Sequence, residues 1–271
     1  MPRRPRRKPS RSNLTKRSGA GYGPRRTFAH LMNDSRQNVA LYGGSFDPVH
    51  LGHLAVARAA TARFELGRVY FVPADVQPLK ARQRVTNFYH RYAMLALALA
   101  GEERFLPSLL EAPELGRAAG QPASYTVDTV RRMRARLKSG TRLYFLIGMD
   151  AFEQIAKWRS PVELLRSAEF VVAGRPGFPL KDVARALPNE LRPNEAGARR
   201  LAETGSLESN GATIHLLPEV DEEVSATAIR EAARRGVGLE ELVPRAVAEY
   251  ITKLRIYAEN AEPGTAELPE L

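Results

Sequence analysis

A chain of 271 residues, 44% hydrophobic and 26% charged, has the length and composition of a globular protein of one or two domains. It contains no cysteine, which excludes a disulfide framework and thiolate chemistry and fits a reducing compartment. The net charge of +11 is concentrated at one end: residues 1–36 carry eleven Lys or Arg against one acid, and the rest carries thirty against twenty-nine, so the charge gives no reason to read the body as a nucleic-acid binder.

Residues 1–36 are rich in Arg, Pro, Ser and Gly and lack apolar periodicity, so a disordered basic N-terminal extension is expected. Without an apolar core segment it is not a secretory signal. Its composition resembles an organellar transit peptide or a basic arm that touches nucleic acid. Equally, Met32 could be the functional start, leaving the upstream residues without a role. The longest apolar run, residues 93–100, is far shorter than a bilayer span. No membrane partner is therefore expected, and a cytoplasmic location is.

From residue 39 the pattern alternates strand and helix. A strand at 39–42 leads into a helix at 52–65. A second strand at 69–72 is ended by Pro73, and a loop at 74–86 carries Pro78 and Lys80. A helix at 87–100, a short strand at 105–106 and a loop to 123 follow. Ser124 is the expected N-cap of a helix to Leu137. A buried strand at 143–147 ends in Gly148-Met149-Asp150, followed by short helices at 151–157 and 161–166. A strand at 170–173 ends in Gly174-Arg175-Pro176-Gly177. Residues 178–211 read as a helical or irregular excursion, and 214–217 as the last strand. Ser225 caps a helix at 226–235, and Pro244 starts a final helix to Ile256. The sum is an α/β protein, a Rossmann-like doubly wound parallel sheet with helices on both faces. The expected catalytic domain covers 37–258, with a frayed tail at 259–271. In such sheets ligands bind beyond the carboxyl ends of the strands, where the unusual residues fall.

The first of these is Gly43-Gly44-Ser45-Phe46-Asp47-Pro48-Val49-His50-Leu51-Gly52-His53. Two glycines let the backbone turn sharply and approach a ligand. A helix N-terminus follows, whose free N–H groups and dipole favour phosphate. His50 and His53 are poorly spaced for zinc and badly placed for a core, so they read as phosphate contacts. The second piece is Ser225-Ala226-Thr227-Ala228-Ile229-Arg230, two hydroxyls at a helix start with a guanidinium one turn on. Alone it could be an ordinary cap with a solvent arginine. Paired with the first it suits a triphosphate. There is no Walker A sequence, no dinucleotide-binding Gly-x-Gly-x-x-Gly after the first strand and no nucleophilic triad. Phosphoryl-type transfer by positioning and charge stabilisation fits what remains. Tyr125 and Thr126, at a helix start, could take a carboxylate on their N–H groups. Trp158, the only tryptophan, could stack on a ligand ring or pack in the core.

Both motifs resemble the two signatures of the nucleotidyltransferase superfamily with the His-x-Gly-His type of sequence. Within it the chain resembles the bacterial nicotinate-nucleotide adenylyltransferase family from Val39 to Tyr257. Ser124-Tyr125-Thr126, Gly148-Met149-Asp150, Trp158 and Gly174-Arg175-Pro176-Gly177 occur in the family's order. The resemblance implies transfer of AMP from ATP to nicotinate mononucleotide, giving deamido-NAD and pyrophosphate, with Mg2+ carried by ATP and no dedicated metal site in the protein. It implies that His50, His53 and Arg230 are catalytic. It assigns ATP contacts to Gly43, Gly44, Ser45, Phe46, Asp150, Ser225 and Thr227. Substrate contacts fall to Lys80, Ser124, Tyr125, Thr126 and Trp158. One departure is Leu79, before Lys80, where the family often has a histidine. A phosphopantetheine or nicotinamide mononucleotide substrate stays open at this level, as does binding of nucleic acid through the basic arm. Oligomeric state is not legible.

Overall fold

The computed structural model describes residues 38–75, 85–114, 124–174, 180–218 and 224–258. Among them one seven-stranded sheet organises the chain, in the order β3-β2-β1-β4-β5-β7-β6. The strands are β1 (Asn38–Gly44), β2 (Leu66–Pro73), β3 (Phe105–Pro107), β4 (Leu143–Gly148), β5 (Glu169–Ala173), β6 (Ser206–Ser209) and β7 (Ala212–Leu217). Neighbours pair in parallel except β6, which is antiparallel to β7. The expected doubly wound sheet is therefore present.

Nine α-helices lie among the described residues: α1 (Leu51–Phe64), α2 (Phe88–Leu99), α3 (Thr126–Arg134), α4 (Met149–Phe152), α5 (Pro161–Ser167), α6 (Val183–Ala186), α7 (Glu195–Thr204), α8 (Ala226–Arg234) and α9 (Arg245–Lys253). The central strands read as nearly unbroken apolar runs because both faces are covered. In β1 the side chains alternate between two cores. Ala40 and Tyr42 pack with Leu54 of α1, Leu95 of α2, Ile229 of α8 and Val247 of α9. Val39 and Leu41 pack with Val130 of α3, Leu165 of α5 and Leu201 of α7. The strand order reverses between β1 and β4, so the carboxyl ends of those two strands open the crevice where such sheets take ligands.

Three local expectations are corrected. Residues 206–209 of the supposed excursion form β6, joined to β7 through Asn210-Gly211, both at positive φ (46° and 84°) as a two-residue hairpin turn requires. Ser124 does not cap α3: the N-cap is Tyr125, whose carbonyl accepts from Asp128 N–H at 2.9 Å, and Ser124 is buried in the extended approach. That helix also ends at Arg134, short of Leu137. By contrast, Ser225 does cap α8, its Oγ accepting from Ala228 N–H at 3.2 Å. Residues 1–36 and 259–271 lie outside the described residues.

Candidate active site

Gly43 and Gly44 close β1, where a side chain would be crowded at Gly44 and would force a shift at Gly43. A Cβ on Gly43 would lie 2.9 Å from the Phe145 ring, and one on Gly44 would lie 3.1 Å from the Phe46 ring. Phe46 itself turns the chain at φ +49° and is buried against Tyr42, His53 and Phe71. Its ring is thus a floor for the turn, and its exposure to a ligand is through the backbone. The Asp47–Pro48 bond is cis.

The turn delivers His50 as the N-cap of α1, with His53 in the same first turn. The rings face each other with centroids 3.7 Å apart. The His50 backbone N–H donates to His53 Nδ1 at 3.2 Å. A neutral imidazole that accepts at Nδ1 carries its proton on Nε2, so the far edge of His53 is a donor. The Leu51 N–H of α1 donates to the Leu242 carbonyl at 3.1 Å and the His53 N–H to the His50 carbonyl at 3.0 Å, so the anion-seeking group here is this Nε2–H.

The second motif comes to the same place across 183 residues of sequence: Arg230 Nη1 donates to the carbonyl of Asp47 at 2.8 Å. Its Nη2 donates to Thr227 Oγ1 at 3.2 Å. Because Thr227 Oγ1 and Ser225 Oγ both act as acceptors inside the protein, their own O–H groups remain to donate outward. The structure therefore brings together Gly43, Gly44, Ser45, Phe46, His50, His53, Ser225, Thr227 and Arg230.

A buried polar network holds this arrangement. Asp47, 6% exposed, accepts from Tyr257 O–H at 2.7 Å and from Thr86 N–H at 3.2 Å. Arg91, 1% exposed, donates to the carbonyls of Ser45 at 2.7 Å and Thr86 at 2.8 Å. Burial lowers the Arg91 pKa, partly offset by Asp47 and other nearby acids. Asp47, Thr86, Arg91 and Tyr257 had no role in the sequence reading. One signal was available: Arg91 is the only Lys or Arg in the apolar run of α2, where a guanidinium is costly unless it has work to do.

Asp150 lies in the first turn of α4, at the end of β4, with its carboxylate folded over Gly148: a Cβ there would meet Oδ1 at 2.6 Å. Ser124, Tyr125 and Thr126 form the approach and first turn of α3. Ser124 Oγ is buried without a hydrogen-bond partner among the described residues. The Arg159 guanidinium lies over the Tyr125 ring, 4.5 Å from its centre. Trp158 is half-buried and packs, with Tyr125, against the core under β4. Deeper in the same wall, Glu111 is fully buried and accepts from Thr129 O–H at 2.7 Å; burial raises its pKa to about 7 against the pull of Thr129 and Arg132. Lys80 and Arg175 lie outside the described residues. Among the described residues no group of three or more His, Cys, Asp or Glu side chains is arranged to hold a metal ion. Nor is any described helix long and apolar enough to cross a membrane.

Two motifs joined at the switch point of a parallel sheet define a nucleotidyltransferase, and the chain belongs to the cytidylyltransferase-like family, whose model matches residues 41–232. A Geobacter metallireducens protein named probable nicotinate-nucleotide adenylyltransferase is 35% identical over 222 residues, 81% of this chain and 97% of that one. Another so named, from Moorella thermoacetica, is 36% identical over 219 residues, covering 81% of this chain and 91% of its own. By these relatives the chain belongs to the nicotinate-nucleotide adenylyltransferases of that family. The fold matches that of the Plasmodium falciparum nicotinic acid mononucleotide adenylyltransferase complexed with NaAD, at TM-score 0.59 and 15% identity over 82% of this chain and 98% of that one.

Proposed function

We propose that this protein transfers the adenylyl group of ATP to the 5′-phosphate of nicotinate mononucleotide, giving deamido-NAD and pyrophosphate. The observation that carries the reading is the junction of the two motifs, with Arg230 bound to the turn that presents His50 and His53. One cation, the outward hydroxyls, the His53 Nε2–H and the N-terminus of α8 then face one crevice, which suits a triphosphate.

A 5′-phosphate oxygen of the mononucleotide attacks the α-phosphorus in line. The bond from that phosphorus to the oxygen bridging to the β-phosphate breaks, and the electron pair leaves with pyrophosphate. No protein nucleophile is needed. His53 Nε2–H, His50 and Arg230 stabilise charge on the phosphates and the leaving group. Ser225, Thr227 and the first amides of α8 hold the β and γ phosphates, while Gly43, Gly44, Ser45 and Phe46 offer their backbone to ATP. Asp150 meets the adenosine. At the other end the N-terminus of α3 takes the nicotinate carboxylate on the amides of Tyr125 and Thr126, beside the unpartnered Ser124 hydroxyl. The face of Trp158 stacks on the pyridinium, and Lys80 reaches a phosphate. Magnesium carried on ATP as part of the substrate would supply charge neutralisation at the phosphates beside Arg230. The catalytic domain spans residues 37–258, and the enzyme works in the cytoplasm.

The test is His53→Ala. Loss of its donor is expected to cut kcat by about tenfold or more while the thermal midpoint stays within a few degrees. Wild-type turnover in the folded variant would remove His53 from the chemistry.

A further inference from the structure

Arg230 is bonded to Asp47, yet its guanidinium forms no ion pair with the Asp47 carboxylate. Arg230 reaches Asp47 through the backbone carbonyl, at 2.8 Å. The carboxylate oxygens are bound elsewhere: Oδ1 accepts from Tyr257 O–H at 2.7 Å, and Oδ2 from Thr86 N–H at 3.2 Å. Among the described residues no ion pair to Arg230 is found. A guanidinium beside a buried carboxylate ordinarily closes on it, because a charge-assisted bond is stronger than one to a neutral carbonyl. Here neutral donors hold the carboxylate first.

We infer that Tyr257 is a positioning residue: by occupying Asp47 Oδ1 it keeps the charge of Arg230 available for the phosphates of ATP.

Three further observations support this. Tyr257 is held at φ +75°, in the left-handed region that side chains disfavour, beyond the end of α9. The chain accepts that strain to bring the phenol to Asp47. Burial first, and the Asp47 charge next, push the Tyr257 pKa upward, so the hydroxyl stays a donor. Finally, the buried Arg91 is spent on the Ser45 and Thr86 carbonyls, which leaves Tyr257 and Thr86 to satisfy the carboxylate.

Removing the hydroxyl would leave Oδ1 buried, charged and short of a donor. Arg230, already held on the carbonyl of the same residue, would close on it and be withdrawn from the crevice. The inference rests on Arg230 as a phosphate contact, and the experiment separates the two. Wild type, Tyr257→Phe and Tyr257→Phe/Asp47→Asn are compared in KM for ATP, KM for nicotinate mononucleotide, thermal midpoint and calorimetric binding of tripolyphosphate. Tyr257→Phe is expected to weaken ATP and tripolyphosphate by about tenfold and to move KM for the mononucleotide by less than about twofold. The double variant, with no carboxylate to capture Arg230, is expected to recover most of the tripolyphosphate affinity. Unchanged phosphate affinity in Tyr257→Phe, or a double variant as weak as the single one, would overturn the inference. A wild type that makes no deamido-NAD but shows this pattern with tripolyphosphate would refute the proposed reaction and keep the positioning role.

Discussion

Gly43, the penultimate residue of β1, and Gly148, the last of β4, lie at the ends of the two strands that open the crevice, and a Cβ on each would meet a different obstacle. A methyl on Gly43 would strike the buried Phe145 ring at 2.9 Å, and the ring has the core behind it. Gly43→Ala should therefore cost stability, about 1–3 kcal/mol by overpacking. A methyl on Gly148 would strike the Asp150 carboxylate at 2.6 Å, the far end of a half-buried side chain rather than a ring packed in the core. Gly148→Ala should leave the thermal midpoint nearly unchanged and raise KM for ATP several-fold, because Asp150 must swing away from the adenosine. Midpoints and KM values for the two variants check this together. An unchanged KM in Gly148→Ala would take Asp150 out of the ATP site. At this scale the glycines were readable in the sequence, but what they avoid was not: Phe145 is remote in sequence from Gly43, and residue type alone does not tell that the Asp150 side chain folds back over Gly148.

The helix α3 carries the proposed carboxylate site, and it is anchored by an acid. Glu111 is fully buried and bonded to Thr129, and burial lifts its pKa from 4.5 to about 7. The folded protein therefore keeps a proton that the unfolded chain has lost between those values. Stability falls as pH rises from about 4.5 to about 7, and the full penalty, on the order of 3 kcal/mol, is present above that. Glu111→Gln keeps an acceptor for Thr129 and removes the ionisation. It is expected to match wild type near pH 5 and to exceed it increasingly toward pH 8 in denaturant melts. A difference independent of pH would show that Glu111 is not the titrating group. Elements dense in apolar residues and bounded by turn residues, such as α1, α2 and β4, were legible because composition and burial agree. The edge strand β6 was not, since Ser206-Leu207-Glu208-Ser209 has one buried side chain and little strand preference. Its signal was the Asn210-Gly211 turn. Ser124 failed as a cap because residue type alone does not tell a capping hydroxyl from a buried one.

Over the whole molecule, the site consists of two sequence-legible motifs and a scaffold that only folding reveals. His50, His53, Ser225, Thr227 and Arg230 announce themselves through residue type at a helix start. Asp47, Thr86, Arg91 and Tyr257 come from three separate stretches and have meaning only once the sheet has brought them together. The basic charge of residues 1–36 stands apart from this arrangement in sequence, since every residue assigned to the site lies at or beyond Gly43.

The measurement that tests the central claim most directly is pyrophosphate release by the purified full chain with ATP and magnesium, offering nicotinate mononucleotide or nicotinamide mononucleotide in parallel. The account predicts fast release with the acid and, because the amide has no charge for the α3 amides to bind, a kcat/KM at least about tenfold lower with the amide. Equal use of the two would contradict the carboxylate site at Tyr125 and Thr126, and no release with either from folded protein would contradict the proposed reaction itself.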